Sequence, residues 1–134
     1  MKHFLVSLDV MSSSLSLNEL TQAFGSSSSP DSFNLGDTDN VGRIRKYSLL
    51  RFESSADESA LCEEHIATLK TDIERIDAHL EQAGKIDISL LLNIGCFFTT
   101  ANGSAEFTAV TLRNSTTPLR ISVTAYPLED SCSD

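Results

Sequence analysis

The sequence predicts an α+β fold. The expected form is a two-layer sandwich with an about four-stranded, mainly antiparallel or mixed sheet, bearing one long helix and one or two short ones on one face, in the order β-α-β-α-β-α-β. Three observations carry this expectation. Leu61, Ile66, Leu69, Ile73, Ile76, Leu80 and Ala83 recur at helical spacing. After Gly84, the residues Ile86, Ile88, Leu90, Leu92, Ile94, Cys96 and Phe98 fill every second position, the signature of a strand with one buried face. The other face of that strand carries Asp87, Ser89 and Asn93, so helices need cover only one side of the sheet.

Taken in order, Phe4, Val6, Leu8 and Val10 alternate with Leu5, Ser7 and Asp9, which predicts a first strand with one buried face. Ser16 and Glu19 have capping-box spacing and Leu15 and Leu20 staple spacing, so a short helix should start at Ser16 and stop at Gly25. Ser26 to Val41 is rich in Ser, Asp, Asn and Gly and predicts a loop of about sixteen residues, its serine run favouring mobility. Arg43 to Glu53 predicts a second strand, with Ile44, Ser48, Leu50 and Phe52 inward and Arg43, Arg45, Tyr47, Leu49 and Arg51 on a wet face that protects an edge.

Ser55 with Glu58 offers an N-cap for the long helix and Gly84 a stop, for about 40 Å of helix at 1.5 Å per residue. Asn102-Gly103 marks a turn after the third strand. Phe107 to Ser115 fits a strand or a short helix equally well. Leu119, Ile121, Val123 and Ala125 alternate with Arg120, Ser122, Thr124 and Tyr126 in a last strand stopped by Pro127. A single domain over residues 1–127 and an acidic tail over 128–134 follow.

The chain has 134 residues, 40% of them hydrophobic, enough for one core without metal or disulfide support. Its net charge of −9 argues against a nucleic-acid partner, which needs a basic track, and suits either a cationic partner or simple solubility. Cys62, Cys96 and Cys132 form an odd set without close spacing, as expected in a reducing compartment. The opening residues are too short and too alternating for a signal peptide, and no segment has the apolar length of a spanning helix, so the expectation is a cytoplasmic protein without a membrane partner.

Candidate chemistry is sparse. His3, His65 and His79 lie outside any nucleophile motif, and no phosphate-binding glycine pattern occurs. Cys62 and His65 share a helical face but lack the further ligands of a metal site, and packing explains them better. Asp31, Asp37 and Asp39 could bind a cation or serve acid–base work, although Asx turns account for them more simply. No cofactor, metal or catalytic residue is expected, and the protein is read as a non-enzyme. On a helical wheel Glu63, Glu74, Asp77 and Glu81 form an acidic ridge away from Leu69 and Ile76. Its like-charge neighbours each cost roughly 0.2–0.5 kcal/mol, which makes the ridge the candidate partner-binding surface, with a solvated helix face screened by salt as the simpler alternative.

Short motifs bring a family into view: Ala23-Phe24-Gly25, Gly36-Asp37, Tyr47-Ser48-Leu49 before Ser54, Glu63-Glu64-His65-Ile66 and Val123-Thr124-Ala125-Tyr126. Over residues 3 to 127 the chain resembles a bacterial domain-of-unknown-function family that includes immunity proteins of contact-dependent inhibition and polymorphic toxin systems. Members typically carry tryptophan at the position of Tyr47 and an acidic residue near Thr124. The resemblance implies a short helix over residues 108–115, no catalytic residues, and a partner in the form of a cognate toxin domain with a basic surface, such as a nuclease. The alternative expectation is a small-ligand-binding or regulatory module with a pocket lined by Phe33, Tyr47 and Tyr126.

Overall fold

A computed structural model of the chain describes residues 4–25, 29–57, 59–83, 87–98 and 119–127. Strand β1 (Phe4–Ser12) leads into helix α1 (Leu17–Phe24), followed by β2 (Ser48–Glu53), helix α2 (Cys62–Ala83), β3 (Ser89–Phe98) and β4 (Leu119–Pro127). The sheet has the order β2-β1-β3-β4. β1 pairs antiparallel with both β2 and β3, whereas β4 runs parallel to β3. The helices sit on one face: α2 touches β1 and β2, and α1 packs between α2 and β2. The α+β sandwich with a four-stranded mixed sheet and one long plus one short helix is therefore the observed architecture.

The core is the meeting of two periodicities. Val6, Leu8 and Val10 of β1, Leu50 and Phe52 of β2 and Leu90, Leu92, Ile94 and Cys96 of β3 face the helices and are buried. Ile66, Leu69, Ile73 and Ile76 of α2 close over them with Leu20 and Phe24 of α1. Each such side chain contributes about 1.5–3 kcal/mol by leaving water. The α1 cap forms as its spacing predicts: the Glu19 N–H donates to Ser16 Oγ at 3.1 Å and the Ser16 N–H to Glu19 Oε1 at 3.2 Å. Gly25 ends the helix at φ +101°, a conformation unfavourable for any residue with a Cβ.

Three boundaries differ from expectation. α2 starts at Cys62, not Ser55, because Asp57 builds a turn of its own: its carboxylate accepts from the Ser59 N–H at 2.9 Å and its carbonyl from the Ala60 N–H at 2.9 Å. Leu61 therefore precedes the helix and is 65% exposed. β2 starts at Ser48, not Arg43, because residues 37–45 close into a small hairpin of their own. The Arg45 N–H donates to the Asp37 carbonyl at 2.7 Å, the Asp39 N–H to the Arg43 carbonyl at 2.8 Å, and Ile44 is left exposed. The expected wet face of β2 is also partly dry, since Leu49 is buried on it. β3 begins at Ser89, with Ile88 packed against the core just before it. Ile86, the Asn102-Gly103 turn, the stretch 107–115 and the tail 128–134 lie outside the described residues.

Among the described residues, no helix is long and apolar enough to cross a membrane. The core assignment has a direct check in urea denaturation. Ile76→Ala should lower stability by about 2–5 kcal/mol, and Leu61→Ala by less than about 0.5 kcal/mol.

Candidate functional site

The sheet face away from the helices carries most of the polar structure. Strand alternation sends Ser7, Asp9, Arg51, Asn93, Ser122 and Thr124 to this side, and the pairing sets them in rows. Ser7 lies opposite Glu53 on one side and Asn93 on the other, with Ser122 beyond Asn93. Asp9 lies opposite Arg51. Its carboxylate is 3% exposed and receives Arg51 Nε at 2.6 Å, Arg51 Nη2 at 3.0 Å and Asn93 Nδ2 at 2.6 Å. A fork of this kind suits guanidinium, which donates two parallel hydrogen bonds to one carboxylate. The Asp9 hydrogen bond, outweighing burial, raises the Arg51 pKa further. Arg51 also reaches Asp31 at 3.4 Å, and its backbone N–H donates to Ser32 Oγ at 3.0 Å.

Beside this network lies a cavity of about 210 Å³ bordered by Leu5, Ser7, Arg51, Asn93, Thr124 and Tyr126. Gly95 shapes its floor: a Cβ there would come 3.2 Å from Tyr126 Cε2, so glycine lets the ring lie over the strand. Tyr126 also stacks on Phe97, ring centroids 5.0 Å apart. The cavity thus combines hydroxyls, an amide, a charge-balanced guanidinium and an aromatic wall. The trio expected to line a pocket does not come together. Phe33 and Tyr47 pack edge to face at 5.3 Å beneath Arg45, beside β2, while Tyr126 is on β4 at the opposite edge.

A second polar cluster sits where the chain enters α2. Ser54 Oγ and His65 Nδ1 are 2.7 Å apart. Ser54 Oγ also accepts from the Ala56 N–H at 3.2 Å. Thr68 bonds Ser54 as well, at 3.1 Å. His65 is buried and its Nε2 has no hydrogen-bond partner among the described residues. Burial pulls the His65 pKa below its ordinary value, against weaker raising effects of Glu64 and Asp57. The cluster borders a cavity of about 190 Å³ with Phe4, Glu53 and Ala56. It clamps the loop before α2 onto the helix.

The acidic ridge is interrupted. Glu63, Glu74 and Glu81 are exposed on α2, but Asp77 is 8% exposed and belongs to the buried side. Asp77 follows fully buried Ile66 by eleven residues, which places it only about 20° further round the helix. Lys70 meets Glu74 at 3.9 Å and Arg75 meets Asp72 at 2.8 Å.

Of the loop acids, Asp39 forms the turn that the simpler expectation held, whereas Asp31 approaches Arg51 at 3.4 Å and Asp37 Oδ2 accepts from the Asn34 N–H at 3.3 Å. Asp39 Oδ1 accepts from the Val41 and Arg43 N–H groups at 2.9 Å each, and the Arg43 hydrogen bond leads in holding its carboxyl below the usual range. Cys62 and Cys96 are buried free thiols, and burial pushes Cys62 up to about 11. No group of side chains suited to holding a metal occurs among the described residues.

Strand alternation in the sequence puts Asn93 and Arg51 on the outer face, but their convergence on Asp9 follows only from the strand order. An aspartate between Leu8 and Val10 in a central strand was the available signal, since such a charge needs a partner. The Ser54–His65 contact joins positions whose pairing depends on α2 beginning at Cys62, where helical spacing alone predicts a start at Ser55.

The His65 environment gives a signed pH dependence. The folded pKa lies below 6.5, so the unfolded chain takes up the proton first. The contribution of His65 is complete above about pH 6.5 and is lost as pH falls through the folded value. Urea unfolding at pH 7.5 and 5.0 should show the loss, and His65→Gln should show a smaller difference between the two conditions.

No protein-family model, curated protein or solved structure matches the chain.

Proposed function

We propose that this chain is an immunity protein, a non-catalytic inhibitor that binds a cognate bacterial toxin domain in the cytoplasm and neutralises it without covalent chemistry. A toxin with a basic surface, such as a nuclease, is the preferred target. The observation that supports this reading is the acidic flank of α2, where Glu63, Glu74 and Glu81 are exposed on one side of the helix. With a chain charge of −9, this flank gives a field that accelerates encounter with a cationic partner and disfavours nucleic acid. Coexpression with the toxin domain encoded beside it should give a copurifying complex and protected cells. The triple variant Glu63→Lys, Glu74→Lys, Glu81→Lys should slow association at low salt by about tenfold or more. Absence of both complex and protection overturns the reading.

A second reading rests on the cavity beside Arg51. Its hydroxyls, the Asn93 amide and the Tyr126 ring suit an uncharged polar molecule such as a sugar or polyol, because Asp9 and Asp31 already balance the guanidinium. Native mass spectrometry of the purified protein should then show a retained small molecule that Tyr126→Ala and Asn93→Ala each release. Ligand-free mass alone, from cells grown on several carbon sources, counts against it.

A further inference from the structure

We propose that β4 is a self-association edge, through which two copies of this chain join their sheets antiparallel about a two-fold axis at Val123. The two edges of the sheet are finished differently. At β2, residue Phe33 exchanges backbone hydrogen bonds with Leu49 at 2.9 and 3.0 Å, and Ser32 Oγ accepts the Arg51 N–H, so the loop closes that edge. At the other end of the sheet, no described strand lies beyond β4. β4 is nine residues long, pairs with β3 in unbroken register, carries one charged residue, Arg120, and has proline only at its last position, Pro127. Ile121 is 41%, Val123 56% and Tyr126 46% exposed. A long, regular, apolar edge is a template for another strand, and proteins that stay monomeric usually blunt it with charges, bulges or proline.

A second copy fits this edge by its own sequence. In a continuous sheet with a two-fold axis normal to it, paired residues share a face, so their numbers sum to an even value. With the axis at Val123, that residue meets its own copy. Ile121 then meets the partner's Ala125, Ser122 meets the partner's Thr124, and Arg120 meets the partner's Tyr126. Aliphatic residues oppose aliphatic ones on the helix face, hydroxyls oppose hydroxyls on the other, and a guanidinium lies across from a phenol ring. Charge distribution permits the approach. The acidic helix α2 touches β1 and β2, away from β4, so the like-charged helices of the two copies stay apart while the joined edges bring only Arg120. Ser122, Thr124 and Tyr126 also border the cavity beside Arg51, so the second copy's Arg120 and Thr124 would extend its wall.

Sedimentation equilibrium of the full chain from about 1 to 300 μM should show reversible dimerisation. Val123→Lys sets two ammonium groups face to face and should weaken it by about tenfold or more, while at concentrations where both proteins are monomeric the melting curve should change little because Val123 is exposed. Directly opposed residues of antiparallel strands have Cα atoms about 4.5–5.5 Å apart, within disulfide reach. In a Cys132→Ser background, Val123→Cys should form an intermolecular disulfide on mild oxidation, and Thr71→Cys on exposed α2 should not. A monomer throughout the range, a dimer indifferent to Val123→Lys, or no cross-link from Val123→Cys overturns the proposal.

Discussion

The fold depends on the seam between α2 and the inner face of β1. Leu8 and Val10 are fully buried in the middle of the sheet, and Ile66 and Ile76 are fully buried on the helix above. Without that seam the two elements have no reason to meet: α2 is acidic on its open flank, and the strands contact each other mainly through backbone. Because β1 is a central strand, hydrogen-bonded on both sides, whatever α2 covers on it also fixes β2 and β3. α1 then needs only to fill the remaining wedge with Leu20 and Phe24. Phe24 makes an edge contact with His79 of α2 at 5.1 Å, so the short helix is held by the long one as well as by the sheet.

The outer face follows a different rule. Among the described residues no helix covers it, yet Ser7, Asp9 and Leu49 are buried on it. Their cover comes from neighbouring side chains and from the loop before β2. Arg51 is the junction: its guanidinium holds Asp9 from β1, its backbone holds Ser32, and Asp31 approaches it from the loop. The loop is further tied to α1 through Asn34 Oδ1, which accepts the Leu17 N–H at 2.8 Å, and to β2 through Ser48 Oγ, which accepts the Leu35 N–H at 2.9 Å. Residues 29–47 therefore form an ordered edge cover, despite a composition that suggested mobility.

Periodicity made the layers legible in the sequence, and local side-chain chemistry set the limits of what it could show. Alternation located β1, β3 and β4, the 3.6-residue repeat located α2, and the capping box located α1. The repeat said nothing about where α2 would start, because Asp57 offered the backbone a competing turn. Alternation across Arg43 to Glu53 likewise hid a hairpin that satisfies its own amides. The wheel set Asp77 with the ridge because it was oriented on Leu69 and Ile76 alone, whereas Ile66 extends the buried arc toward it. The outer-face network was the least legible part, since Asp9, Arg51 and Asn93 are separated by most of the chain and meet only through strand order.

The placement of Asp9 also bears on how faithfully the sheet assembles. Its sequence neighbours Leu8 and Val10 point into the core, so sliding β1 by a single residue against its partners would turn the carboxylate under α2 and put both aliphatic groups in water. The guanidinium of Arg51 and the amide of Asn93 would remain behind, and a bare negative charge would sit in a greasy interior. One acidic side chain thus acts as a spelling check on strand alignment. Misaligned intermediates carry a penalty that a leucine or serine at the same position would never impose.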